Sequence, residues 1–106
     1  MDNYLLWHLL AGTRGGTNRI KIIKTIQQKP SNAHQLKIIL KMDYKTIQHH
    51  LKVLTKNRLI YSPQQNKYGG MYFLTHELES NISTFNEIWV KLNKQEKIPQ
   101  PKKLWR

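Results

Sequence analysis

Asp43-Tyr-Lys-Thr-Ile-Gln-His-His-Leu-Lys-Val-Leu-Thr-Lys-Asn57 lies near the middle of a 106-residue chain and separates into two faces on a helical wheel. At about 100° per residue, Ile47, Leu51 and Leu54 fall within roughly 60° of one another, a stripe that seats a helix on a core. The opposite side carries Lys45, His49, Lys52 and Lys56, with Gln48 at its edge. Asp43 suits an N-cap, because its carboxylate can accept from the free amides of a first turn. The segment predicts an amphipathic helix over 44–57 with a cationic outer face.

Working back towards the N-terminus, Lys41 and Met42 form a short turn. Before it, Ala33, Leu36, Ile39 and Leu40 share one face of a helix over 33–40, capped by Ser31 or Asn32. Pro30 ends an earlier helix that runs to about residue 29, carries Ile20, Ile22, Ile23 and Ile26, and takes Thr17 or Asn18 as its cap. Paired glycines in 13–17 predict a turn. Residues 2–10 predict a first helix that is apolar on every side.

Beyond Asn57 the period changes. Residues 59–62 and 71–75 are short β-branched or aromatic runs that flank the polar loop Pro63-Gln-Gln-Asn-Lys-Tyr-Gly-Gly70, which predicts a β-hairpin. Helical spacing returns over 76–97, and Pro99 and Pro101 close it ahead of a basic tail, 99–106. The order helix, helix, short turn, helix, hairpin is that of a winged helix-turn-helix. The expected fold is therefore mainly α with a small β-hairpin wing, one domain over 1–98 with no second domain and no internal repeat.

Charge narrows the partner. Eighteen Lys and Arg stand against six Asp and Glu, a formal net charge of +12, which concentrates polyanions around the molecule. DNA, RNA and an acidic membrane surface all meet that condition. The outer face of 44–57 carries what a groove-reading helix uses: lysines for phosphates or guanine acceptors, Gln for adenine edges, His or Thr for either. A solvated basic face would carry the same lysines; the hairpin and the overall charge favour a duplex.

The segment from Asp43 to Ile60, with Thr46-Ile-Gln-His-His-Leu-Lys-Val-Leu54 at its centre, resembles the recognition-helix region of ArsR-like winged-helix regulators. The likeness extends to Gly12-Thr-Arg-Gly-Gly16 and to Lys67-Tyr-Gly-Gly-Met-Tyr-Phe-Leu74, and it covers about residues 5–75. Together these look like a group of archaeal regulators of that class. The resemblance implies a transcriptional regulator that binds double-stranded DNA. Lys45, Thr46, Gln48 and His49 would enter the major groove, with Tyr44 beside them, and Lys52 would lie nearer a phosphate strand. It implies a packed role for His50 and a wing tip, around Asn66, Lys67 and Tyr68, on the backbone or in the minor groove. Arg14, between glycines, is either a phosphate contact or an exposed turn residue.

Leu78, Ile82, Phe85, Trp89 and Leu92 are spaced 4, 3, 4 and 3 and form a narrow seam of coiled-coil type. With Leu6, Trp7 and Leu10 of the first helix, they predict a homodimer held by helices over 1–12 and 76–97. The resemblance implies the same, and the alternative is that the last helix folds back on its own domain. Two recognition helices would then address half-sites about 34 Å apart.

Other classes find little support in the residues. The six acids, Asp2, Asp43, Glu77, Glu79, Glu87 and Glu96, form no pair suited to acid/base work, and neither a nucleophile motif nor a phosphate-cradling loop is present. We expect no enzyme and no cofactor, and no small-molecule effector is identifiable. The absence of cysteine rules out thiolate metal sites, and adjacent His49 and His50 point about 100° apart on a helix. His76 and Glu79 could share a face, but two ligands make a poor site, so a metal-responsive repressor ranks below a chromatin-type protein that binds DNA without sequence preference. The longest apolar run, residues 4–11, falls far short of the ~20 residues that cross a bilayer, and only Asp2 precedes it in place of a basic leader. We expect a soluble, cytoplasmic protein without a membrane partner.

Overall fold

The structure, a computed structural model, describes residues 3–63 and 69–94. In chain order it runs α1 (Asn3–Ala11), α2 (Gly16–Gln28), α3 (Ala33–Leu40), α4 (Tyr44–Lys56), β1 (Ile60–Tyr61), β2 (Phe73–Leu74), α5 (His76–Ser80) and α6 (Ile82–Lys94). This is a mainly helical winged helix-turn-helix, with the antiparallel pair β1–β2 following the helix-turn-helix.

The core forms around α2, whose Ile20, Ile22, Ile23 and Ile26 are all buried. From α4, Ile47, Leu51 and Leu54 pack against it as their spacing predicts, and α3 adds Leu36. Ile39, expected on the same face as Leu36, keeps over a third of its surface exposed. From α1 come Leu6, Leu9 and Leu10; α5 and α6 contribute Leu78, Phe85, Ile88 and Leu92.

Local chemistry sets the element ends. Asn32, not Ser31, caps α3: its side chain accepts from the Gln35 amide at 2.8 Å while the Gln35 side chain accepts from the Asn32 amide at 2.8 Å. That reciprocal box satisfies two otherwise free donors. Ser31 instead bridges to Tyr72, whose amide donates to its carbonyl at 2.9 Å, so the wing is tied to the start of α3. Asp43 caps α4 by accepting from the Lys45 amide at 3.0 Å. Thr75 anchors the wing's return: its hydroxyl donates to the Arg58 carbonyl at 2.7 Å and accepts from the Leu78 amide at 3.1 Å.

Four expectations need correction. First, α2 begins at Gly16 with Gly15 as its cap and no side-chain bond, not at Thr17 or Asn18. A Cβ on Gly16 would sit 2.2 Å from the Leu10 carbonyl oxygen, so α2 starts where only glycine lets it meet the end of α1. Second, the last helix is two helices. Asn81 ends α5 by donating its side-chain amide to the Glu77 carbonyl at 2.9 Å, and its own carbonyl accepts from Thr84 at 3.0 Å to begin α6. Third, the strands are only two residues each, paired Ile60 with Leu74 and Tyr61 with Phe73.

The fourth correction concerns the terminal helices. Leu6, Leu10, Leu78, Phe85 and Leu92, the seam expected to face a second copy, are buried in the chain's own core because α1 and α6 pack against each other. Trp7, Ile82 and Trp89 are half-buried at its edge. The amines of Lys91 and Lys24 lie over the rings of Trp7 and Trp89, at 5.7 and 5.4 Å. The outward surface of this pair carries Tyr4, 81% exposed, and Val90. No helix of the described residues is long and apolar enough to cross a membrane.

Candidate nucleic-acid interface

Seating Ile47, Leu51 and Leu54 in the core fixes the rotation of α4, and the same rotation turns Lys45, Gln48, His49, Lys52 and Lys56 outward, all exposed. Tyr44 and Thr46 are partly exposed on the flanks. A groove of about 570 Å³ runs between this face and the root of the wing. Lys45, Gln48, His49 and Lys52 form one wall; Gly70 and Tyr72 stand on the other. Four residues singled out in the sequence are thus brought to one concavity.

The remaining site residues lie elsewhere. Arg14 is exposed in the turn between α1 and α2. Lys67, with Asn66 and Tyr68, lies outside the described residues. Acid is scarce near the groove: residues 17–62 hold ten Lys and Arg and a single acid, Asp43, whose carboxylate caps α4. Among the described residues, no group of three or more His, Asp or Glu is placed to hold a metal ion.

Beneath the exposed face lies a cluster that sequence reading did not single out. Arg19, 6% exposed, sends its guanidinium to three segments. Nε donates to the Leu9 carbonyl at 3.1 Å, Nη2 donates to the Thr13 hydroxyl, and Nη1 reaches Nδ1 of His50 at 3.3 Å. Thr13 in turn donates to the same Leu9 carbonyl at 3.2 Å. His50 is packed, as expected, at 5% exposed. A signal was present in the sequence, since Arg19 falls on the helical face of Ile22, Ile23 and Ile26.

A guanidinium only donates, so Nδ1 of His50 must be the unprotonated nitrogen of a neutral ring. Burial is the main force holding it neutral, helped by Arg19 and His49, and its pKa falls from 6.5 to about 4. Below the ordinary value the unfolded chain binds a proton that the folded chain refuses until about pH 4. The associated stability is therefore whole above pH 6.5 and is lost as pH falls towards 4. Between pH 7.5 and 5 we expect a loss of about 2 kcal/mol. Urea unfolding of wild type and His50→Gln at both pH values checks this: the variant should lack that increment, and an unchanged difference would refute the assignment.

Residues 17–62, from the start of α2 to the first strand of the wing, match the family model of bacterial regulatory proteins of the arsR family. The chain carries an ArsR-family helix-turn-helix domain. That family is one of DNA-binding transcription regulators, not of enzymes, and its domain implies double-stranded DNA as partner. No curated protein matches the chain. The ArsR-family segment spans α2, α3, α4 and β1. It thus contains the helix wall of the groove, together with Arg19 and His50 of the buried cluster.

Proposed function

We propose that the protein is a sequence-specific regulator that acts as a homodimer in the cytoplasm, with α4 in the major groove and the wing loop, 63–70, on the backbone or in the minor groove. The observation that carries this reading is the mixed chemistry of one exposed helix face, where Gln48 and His49 lie between Lys45 and Lys52 and line a single groove with the wing. A face meant only for phosphates needs only cations. Gln48 can pair with an adenine edge, and His49 and Thr46 can bond to either partner of a base pair. Lys45 and Lys52 reach guanine or phosphate, Tyr44 packs or bonds at the sugar-phosphate edge, and Arg14 and Lys67 add phosphate contacts from the flanks.

The exposed surfaces of Tyr4 and Val90, with the half-exposed edges of Trp7, Ile82 and Trp89, support α1 and α6 as the dimer face. A two-fold dimer should select near-palindromic sites from a pool of random duplexes. On a selected duplex, Gln48→Ala and His49→Ala should reduce preference over a scrambled duplex by about 1–3 kcal/mol each. Lys52→Ala and Lys67→Ala should instead weaken both duplexes alike. Competition binding by fluorescence anisotropy reads both effects. A wild-type protein with equal affinity for every duplex would overturn sequence specificity and leave a chromatin-type binder.

A further inference from the structure

The buried cluster beneath the recognition face lies between α1 and α4, and the groove reading gives it no task. We propose that Arg19 is a positioning residue for DNA binding, fixing α4 through His50 against the C-terminal end of α1, so that docking of α1 and presentation of the reading face are one event. The inference rests on α4 being the reading helix.

Three observations carry it. The first is where the bonds go. Leu9 lies in the last turn of α1, whose carbonyls lack partners within the helix and form its negative end. Arg19 donates to that carbonyl, and Thr13 closes the ring by accepting from Arg19 and donating to Leu9. The third branch ends on His50, the residue after His49, and the two imidazoles lie 5.3 Å apart. A displacement of His50 therefore moves a groove-lining ring directly.

The second is cost. Arg19's three acceptors are a carbonyl, a hydroxyl and a neutral imidazole, none of them an anion. Desolvating a cation on such partners is expensive, and an apolar residue of similar size would hold α2 in place at least as well. What a forked donor supplies, and a leucine cannot, is a fixed geometry between three segments.

The third is the space reserved for the cluster. A Cβ on Gly15 would stand 2.7 Å from Cε1 of His50 and 2.8 Å from Nη1 of Arg19. The turn after α1 thus closes over the pair at a position that has no side chain.

The test compares wild type, His50→Leu, His50→Gln and Thr13→Val, each shown folded by circular dichroism at the assay temperature. The probe is a duplex that the wild-type protein recovers from a random pool, set against its scrambled counterpart. Active protein is titrated stoichiometrically, so that a lost folded fraction lowers the endpoint and leaves the Kd unmoved. His50→Leu keeps the packing and removes the acceptor; we expect affinity for the selected duplex to fall about tenfold and preference over the scrambled one to fall with it. His50→Gln restores an acceptor and should return to within about threefold of wild type. Thr13→Val, in the turn between α1 and α2 and outside α4, should fall between the two and carries the test if His50→Leu does not fold. Wild-type affinity and preference in His50→Leu, or in Thr13→Val where it stands in, would overturn the inference alone, as would a His50→Gln protein no better than His50→Leu. A wild-type protein that binds no duplex would overturn the DNA reading and this one together.

Discussion

Raising salt from 50 to 200 mM is expected to weaken binding to duplex DNA by about 10³–10⁵, a loss that requires six to ten phosphates neutralised per complex. The number follows from counterion release: each phosphate covered by Lys or Arg frees condensed cations, and the logarithm of affinity falls with the logarithm of salt by about 0.9 per phosphate. One copy offers Lys45, Lys52 and Lys56 on α4 and Arg14 in the turn between α1 and α2, with Lys67 between the two strands in sequence. A single copy using three to five of these would lose only about 40- to 500-fold over the same range. Two copies reach the larger value, so the slope reports how many chains sit on the duplex as well as the electrostatic share of affinity. Titrating a labelled duplex at four or more salt concentrations gives the slope directly. A slope near zero would mean that the +12 charge is not directed at phosphates, and the major-groove assignment of α4 would fall with it.

What the sequence made legible and what it hid follow from one distinction. Periodicity reports that a face is buried; it does not report what buries it. Ile47, Leu51 and Leu54 could face only inward, because the other side of their helix is cationic, so both the position of α4 and its exposed cationic face were readable. Asp43 was readable as a cap, and Asn32 as one of two candidates with Ser31, because such bonds are local, two and three residues along the chain. The spacing of Leu78, Phe85 and Leu92 is the same whether the surface opposite belongs to the same chain or to another, and in the structure the chain's own core covers them. Gly15 and Gly16 were legible as a turn, but their larger use, admitting Arg19, His50 and the Leu10 carbonyl at close range, involves residues up to 35 positions away. Arg19 was missed because long cations are by default exposed, and its acceptors lie in α1, in the turn after it, and in α4.

Phe85→Ala puts that distinction to a measurement, and it carries the largest expected loss of stability. Phe85 is fully buried and is among the largest wholly enclosed side chains of the protein. Truncating a buried Phe removes its transfer free energy and leaves a cavity that neighbours only partly fill, for a cost of about 3–5 kcal/mol. Against a typical 5–15 kcal/mol for a domain, that is a large share, and it should lower Tm by about 12 °C or more. Because the ring is enclosed by its own chain, the loss should be the same at every protein concentration. Were the ring instead at a contact between copies, dilution would abolish the difference, since separated protomers would expose Phe85 in wild type and lack it in the variant at little cost. Val90→Ala, on the outward side of α6 and about half exposed, supplies the contrast. It should leave the dilute protein's melting temperature unchanged and weaken only self-association, if α6 forms the dimer face. Thermal melts of wild type and the two variants across a hundredfold range of concentration separate the cases. A Phe85→Ala protein that melts like wild type when dilute would move α6 out of the protomer core and return its apolar seam to a second copy.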